Sequence, residues 1–168
     1  MLWEIFQAFL VLVIVLVAGH LIDYRVLKPL HRKERKWGLN ISCCDTDGGG
    51  INADVVERDI PNFVLIKDIY KLPFKNKQFD TVLCSHTIEH VKEPERFYKE
   101  LQRVGKSVTI LIPPIWDMLG SFLDFIEHRW LFLTFKTRHD NELPKSIKLP
   151  YWSFISWLQE KTYGKVLP

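Results

Sequence analysis

What the sequence has little of narrows it first. Its three cysteines, Cys43, Cys44 and Cys84, are an odd number, and the two adjacent ones are poorly placed to bridge each other. That excludes a disulfide framework and points to reduced thiols. There is no CxxC pair, no internal repeat and no low-complexity tract. The formal net charge is only +3, too small to argue for a nucleic-acid partner. Global disorder is excluded by composition, since 47% of the residues are hydrophobic and 26% charged. Setting aside an apolar N-terminus leaves about 140 residues, the usual size of one domain with one core.

Residues Ile5 to Ile22 form a run almost free of ionisable groups. As a helix it would span roughly 27 Å, close to the thickness of a bilayer's hydrocarbon core. A cleaved signal peptide would open on a basic stretch, whereas the charged side chain before this run is Glu4. The run therefore reads as an uncleaved single-pass transmembrane anchor over residues 1–24. Next come Arg25, Lys28, Arg32, Lys33, Arg35 and Lys36 against Asp23 and Glu34, a basic juxtamembrane linker over 25–37 that orients this flank toward the cytoplasm. The same charges allow attraction to anionic headgroups. Residues 38–168 are left as a cytoplasmic domain.

Beyond Trp37, short apolar runs alternate with polar, helix-like stretches. Strands are expected near Leu39–Ile41, Ile51–Val55, Asn62–Ile66, Thr81–Cys84 and Val108–Ile112. Between the last two lies the clearest helix. Pro94 suits its first turn, Phe97, Leu101 and Val104 share a face, and Gly105 can end it. Strand, helix, strand at this spacing implies a parallel crossover, so the fold class is α/β, with a Rossmann-like, mostly parallel sheet preceded by one transmembrane helix.

Three stretches carry a resemblance: GLNISCCDTDGGGINADVV, LIKDIYKLPFKNKQFDTVLCSHTIEHVKEPERFYKELQRV and SVTILIPP. Their order and spacing resemble a class I S-adenosylmethionine (SAM)-dependent methyltransferase over about residues 38–114. The members most alike are compact ones in which a short loop joins the first two strands. Leu72 to Phe74, Phe79-Asp80 and Glu89 to Val91 are the most specific pieces in combination. The resemblance implies SAM as cofactor. It implies that the Ser42–Gly50 loop, with Ser42 and Cys44, approaches the donor, and that Asp54 accepts hydrogen bonds from the ribose hydroxyls. Asp68 would face the adenine amino group, with Ile69 and Tyr70 lining the ring, and Ser85 and His86 would pass beneath the sulfonium. The plainer readings are a solvated strand-end charge for Asp54 and a helix N-cap for Asp68. Methyl transfer is an in-line displacement served by positioning and exclusion of water. Where the acceptor must lose a proton, His86 or His90 is the candidate base, against a plainer structural hydrogen bond for each.

The departures from the family pattern are specific. Ser42-Cys43-Cys44 stands where GCG is usual, and Gly105-Lys106-Ser107 replaces a glycine-rich turn before the fifth strand. The chain reaches Gly164–Pro168 where a sixth strand should begin, so the final antiparallel pair is expected to be missing or improvised. An edge is then bare unless a protein partner or the 115–161 region covers it. In that region Asp117, Ser121, Asp124, Glu127 and His128 gather on one face at helical spacing, among large apolar residues. This suits a helix over the sheet or a surface resting on the membrane. Trp116, Trp130, Trp152 and Trp157 fit either. Three functions follow. One is a membrane-anchored methyltransferase for a small or lipid-like acceptor, and another a catalytically inactive, membrane-tethered binding module of the same fold. The third is a metal or thiol site from Cys43, Cys44, Cys84 and His86, which the lack of chelating spacing disfavours.

Overall fold

The structure is a computed structural model, and it describes residues 1–122 and 128–149. Helix α1 (Leu2–Leu21) has no buried residue, and its apolar surface stands largely exposed along its length. The helix does not end with the apolar run. It continues through a π-helical segment, Ile22–Leu27, in which the Lys28 N–H bonds the Asp23 carbonyl five residues back, and into α2 (Lys28–Lys33). The whole stretch from Leu2 to Lys33 is long and apolar enough to cross a membrane.

The end of this helix docks on the domain. His20 Nδ1 lies 3.2 Å from an Asp117 carboxylate oxygen. Thr137 Oγ1 donates to the fully buried Asp23 at 2.5 Å. Trp37, buried beyond α2, donates its indole N–H to the Arg32 carbonyl at 2.8 Å.

Five parallel strands follow: β1 (Leu39–Ile41), β2 (Ile51–Asp54), β3 (Phe63–Leu65), β4 (Phe79–Ser85) and β5 (Gly105–Leu111). The remaining elements are α3 (Pro94–Val104), α4 (Met118–Phe122), β6 (Trp130–Phe132), β7 (Arg138–Asp140) and β8 (Ser146–Lys148). The sheet order is β3-β2-β1-β4-β5-β7, with β6 and β8 forming a separate antiparallel pair. From β1 the chain moves outward to β3 and then returns to β4 on the other side, so the order reverses between β1 and β4.

Alternation along the strands explains the layers. In β4, Val82 and Cys84 join a core with Phe97, Leu101 and Val104 of α3, while Leu83 points the other way to meet Trp37 and Leu111. Burying each such side chain stabilises by roughly 1.5–3 kcal/mol. β1 and α3 lie where expected, and the other expected strands are present with bounds shifted by one to three residues.

Gly105 ends α3 as expected, its N–H bonding the Leu101 carbonyl, and it does so in an extended conformation at φ −107° as the first residue of β5. Glycine is needed there because a Cβ would lie 2.5 Å from Val82 Cγ2. The edge of β5 is covered from within the 115–161 region, one of the two covers expected, by β7, which pairs antiparallel with Thr109–Leu111. Thr109 Oγ1 donates to Asp140 at 2.5 Å, and Asn141 bonds Val108 through both backbone and side chain. In place of one helix over 115–135, the described residues there form α4 and then β6. Asp124, Glu127, Trp152, Trp157 and the segment 164–168 lie outside the described residues.

Candidate functional site

In open α/β sheets the ligand crevice lies beyond the carboxyl ends of the strands where their order reverses. Ile41 of β1 is in register with Cys84 of β4, so Ser42, the first residue past β1, comes beside Ser85, the last of β4. Three non-glycine residues around this point hold the left-handed backbone conformation: Ser42 at φ 52°, Cys44 at 48° and His86 at 50°. Each such residue costs on the order of 1–3 kcal/mol and persists only where its surroundings enforce it.

The enforcement is visible at Asp54, which ends β2 and is 5% exposed. One carboxylate oxygen accepts the Cys44 N–H at 3.0 Å, the other the Val56 N–H at 3.2 Å, and the Arg58 Nε lies 3.9 Å away. The rest of the β1–β2 connection is held by buried amides that the sequence analysis passed over. Asn40 donates to the Thr46 carbonyl and to Asn52, while Asn52 donates to Asp47 and the Pro61 carbonyl and accepts the Gly48 N–H. Gly48 and Gly50 are small for packing, since a Cβ on Gly48 would lie 2.6 Å from Asn40 Cβ and one on Gly50 2.3 Å from the Trp37 carbonyl oxygen.

After β3, Asp68 is half-buried and accepts the Tyr70 N–H at 2.8 Å. Ile69 is in the core, 1% exposed. The Tyr70 hydroxyl accepts the Glu93 N–H, and the Arg96 guanidinium stacks over its ring.

The turn after β4 holds polar atoms with nothing to bond. Ser85 Oγ, His86 Nε2 and both Glu89 carboxylate oxygens are buried without a hydrogen-bond partner. Burial pushes the Glu89 carboxyl up. Burial and the nearby Lys28 push His86 well below the ordinary imidazole range. The Tyr24 ring meets His86 edge-on at 6.4 Å, and Lys28 Nζ lies 4.4 Å above the Tyr24 ring. The helix that carries Tyr24 and Lys28 therefore closes over the end of β4, a contact that residues so far apart in sequence gave no signal of.

The cysteines do not form a cluster. Cys43 and Cys84 are buried and Cys44 is exposed. Burial pushes the Cys43 thiol up to about 12 and raises Cys84 as well. Among the described residues the group whose ligand atoms come together is instead Glu89, His90 and His128, all within 4.8 Å of one another.

A family model described as a methyltransferase domain matches residues 25–112. Among solved structures, a SAM-dependent methyltransferase from Thermotoga maritima is 25% identical over 72% of this chain and 64% of its own, with a TM-score of 0.44. A protein from Pyrococcus horikoshii is 21% identical over 69% of this chain and 71% of its own, at 0.42. A methyltransferase solved with the Haloferax volcanii Trm112 methyltransferase activator is 16% identical over 54% of this chain and 53% of its own, at 0.41. The chain thus spans between about half and two thirds of the length of the Haloferax and Thermotoga relatives. No protein with a curated description matches. With the matched model covering more than half of its length, and with this sheet order, the chain belongs to the methyltransferase-domain family and has the SAM-dependent methyltransferase fold.

Proposed function

We propose that this protein is a SAM-dependent methyltransferase, held to a membrane by its N-terminal helix with the domain in the cytoplasm, and acting on a small or lipid-like acceptor. The observation that carries this reading is the gathering, at the reversal of strand order, of a left-handed turn, a strand-end carboxylate and orphaned polar atoms. These suit the cofactor. An ionised carboxylate has about four lone-pair positions, and backbone N–H groups take two of those on Asp54, which leaves acceptors for ribose hydroxyls. Ser85 Oγ and His86 Nε2 are buried and unpartnered where the family's donor passes, and such atoms call for a ligand. When bound, SAM supplies an electrophilic methyl group. Asp54 and the Ser42–Cys44 turn would hold and orient it, the helix bearing Tyr24 and Lys28 would exclude water, and His86 or His90 would take a proton from an acceptor that must lose one. The exposed apolar length of α1 supports the anchor, and an apolar helix beside the site supports a lipid-like acceptor.

A second reading, a membrane-tethered binding module without turnover, is favoured by one observation: the Asp54 carboxylate is already engaged by Cys44, Val56 and Arg58. Calorimetric titration of SAM into the full chain in detergent separates the two. The enzyme reading expects micromolar affinity. It expects Asp54→Ala to weaken binding roughly 5- to 150-fold, the equivalent of about 1–3 kcal/mol for a lost buried partner. A folded chain that gives no heat of binding would leave the module.

A further inference from the structure

The buried carboxylate of Glu89 has no part in the reading above. It is 1% exposed, and neither oxygen has a hydrogen-bond partner. His90 Nε2 stands 4.0 Å and His86 Nδ1 3.8 Å from one of those oxygens, both outside hydrogen-bond range. On the far side His128, 4% exposed, packs its ring edge-on against that of His90, with centroids 4.6 Å apart.

The backbone fixes this arrangement. The Arg129 and Trp130 N–H groups both bond the Glu89 carbonyl, and the Trp130 indole donates to the Val91 carbonyl. The segment that begins with His128 is thereby strapped to the segment that bears Glu89 and His90. A void of about 10 Å³, lined in part by Glu89, Ser121, His128 and Trp130, adjoins two of the three side chains, those of Glu89 and His128.

We propose that Glu89, His90 and His128 form a binding site for one divalent first-row transition ion of the zinc type. Two imidazoles and one carboxylate, with no thiolate, are a donor set of that class, and three protein ligands leave a fourth position open. Ligands at about 2.0–2.1 Å around a tetrahedral ion stand roughly 3.3 Å apart, so side chains already within 4.8 Å of one another need only small rotations to close. The ion would bond the Glu89 carboxylate directly, which His86 and His90 at 3.8 and 4.0 Å do not, where a buried carboxylate without direct partners is otherwise costly. The fourth position falls to a water or to an oxygen or nitrogen of an acceptor. The rival occupant of the cluster is a proton that keeps Glu89 neutral.

The site shares His90 with the proton-accepting role proposed above and lies beside His86, so its test is made without SAM and reads metal alone. The full chain in detergent, stripped with chelator, is titrated with zinc chloride and, separately, with cobalt(II) as a spectroscopic probe. One ion per chain is expected, with strong visible bands of four-coordinate cobalt and no thiolate charge-transfer band. Replacing an outer-shell partner of a metal ligand costs about 10- to 100-fold in affinity, so losing a ligand in His128→Ala or Glu89→Gln should cost more than about 100-fold. Replacing all three cysteines by serine should change neither affinity nor spectrum. Metal should raise the melting midpoint of the wild type and leave that of Glu89→Gln, which keeps the side-chain shape, unmoved. A folded wild type without saturable binding overturns the site. So does binding that survives in His128→Ala but fails in the cysteine variant.

Discussion

At the scale of single residues, Ser42 and Cys44 carry the clearest departure from the family pattern. The sequence shows side chains where glycine is usual, and the structure keeps both in the conformation that glycine would favour. The Asp54 carboxylate holds the turn in this form by accepting the Cys44 N–H. Replacing both residues by glycine therefore relieves strain of about 1–3 kcal/mol per site and loses roughly 0.4–1 kcal/mol per site to the greater freedom of the unfolded chain. The double variant is expected to match or exceed the wild type in stability by up to about 5 kcal/mol, and to bind SAM more tightly. Denaturant unfolding and calorimetry on the same two proteins check this. A clear loss of stability would mean that the two side chains are themselves what builds the turn. Glycines are less legible than they look. Those at 48 and 50 invited a ligand-facing reading, yet they are small because Asn40 and the backbone at Trp37 and Gly38 lie against them.

At the scale of elements, α3 and the Leu72-Pro73-Phe74 segment explain each other. Arg103 donates to the Leu72 and Phe74 carbonyls and to Glu100, and Glu100 accepts the Leu72 N–H at 2.7 Å. A planar, forked cation is needed to serve three acceptors at once, so Arg103→Lys should cost about 2 kcal/mol in denaturant unfolding despite conserving charge. Burial alone would raise the Glu100 carboxyl, but Arg103 and the Leu72 N–H outweigh it and hold the group below the ordinary glutamate range. The sign follows from linkage: its contribution is present above the unfolded value, about 4.3, and is lost as pH falls through the lower folded value. The stability gap between wild type and Glu100→Gln should therefore narrow as pH drops below about 4; a gap independent of pH would show that the charge contributes nothing. The limits of α3 were legible because Pro94 opens it and Phe97, Leu101 and Val104 mark its face. β7 was not. Arg-His-Asp has no apolar alternation, and its place beside β5 rests on side-chain bonds such as Thr109 to Asp140 that only the folded chain brings together. His128 joined Glu89 and His90 unannounced for the same reason, since the link is the strap onto Glu89 and not a sequence spacing.

At the scale of the whole molecule, the parallel sheet and its reversal between β1 and β4 were readable from the order of short apolar runs, and so was the apolar helix. The docking of that helix was not, because His20 with Asp117 and Asp23 with Thr137 pair residues from opposite ends of the chain. Protease added outside sealed cells is expected to leave residues 25–168 intact and to digest them once the membrane is opened with detergent. Digestion from outside would reverse the proposed topology. A flexible linker would let a domain roam over roughly 5–6 Å times the square root of the linker length. Here the helix runs unbroken from Leu2 to Lys33 and is pinned where it meets the domain, so it is a stalk and not a leash. With its apolar length in a bilayer, the crevice would stand at one fixed height and one fixed tilt, and an acceptor would have to reach it by sliding along that surface, a search in two dimensions.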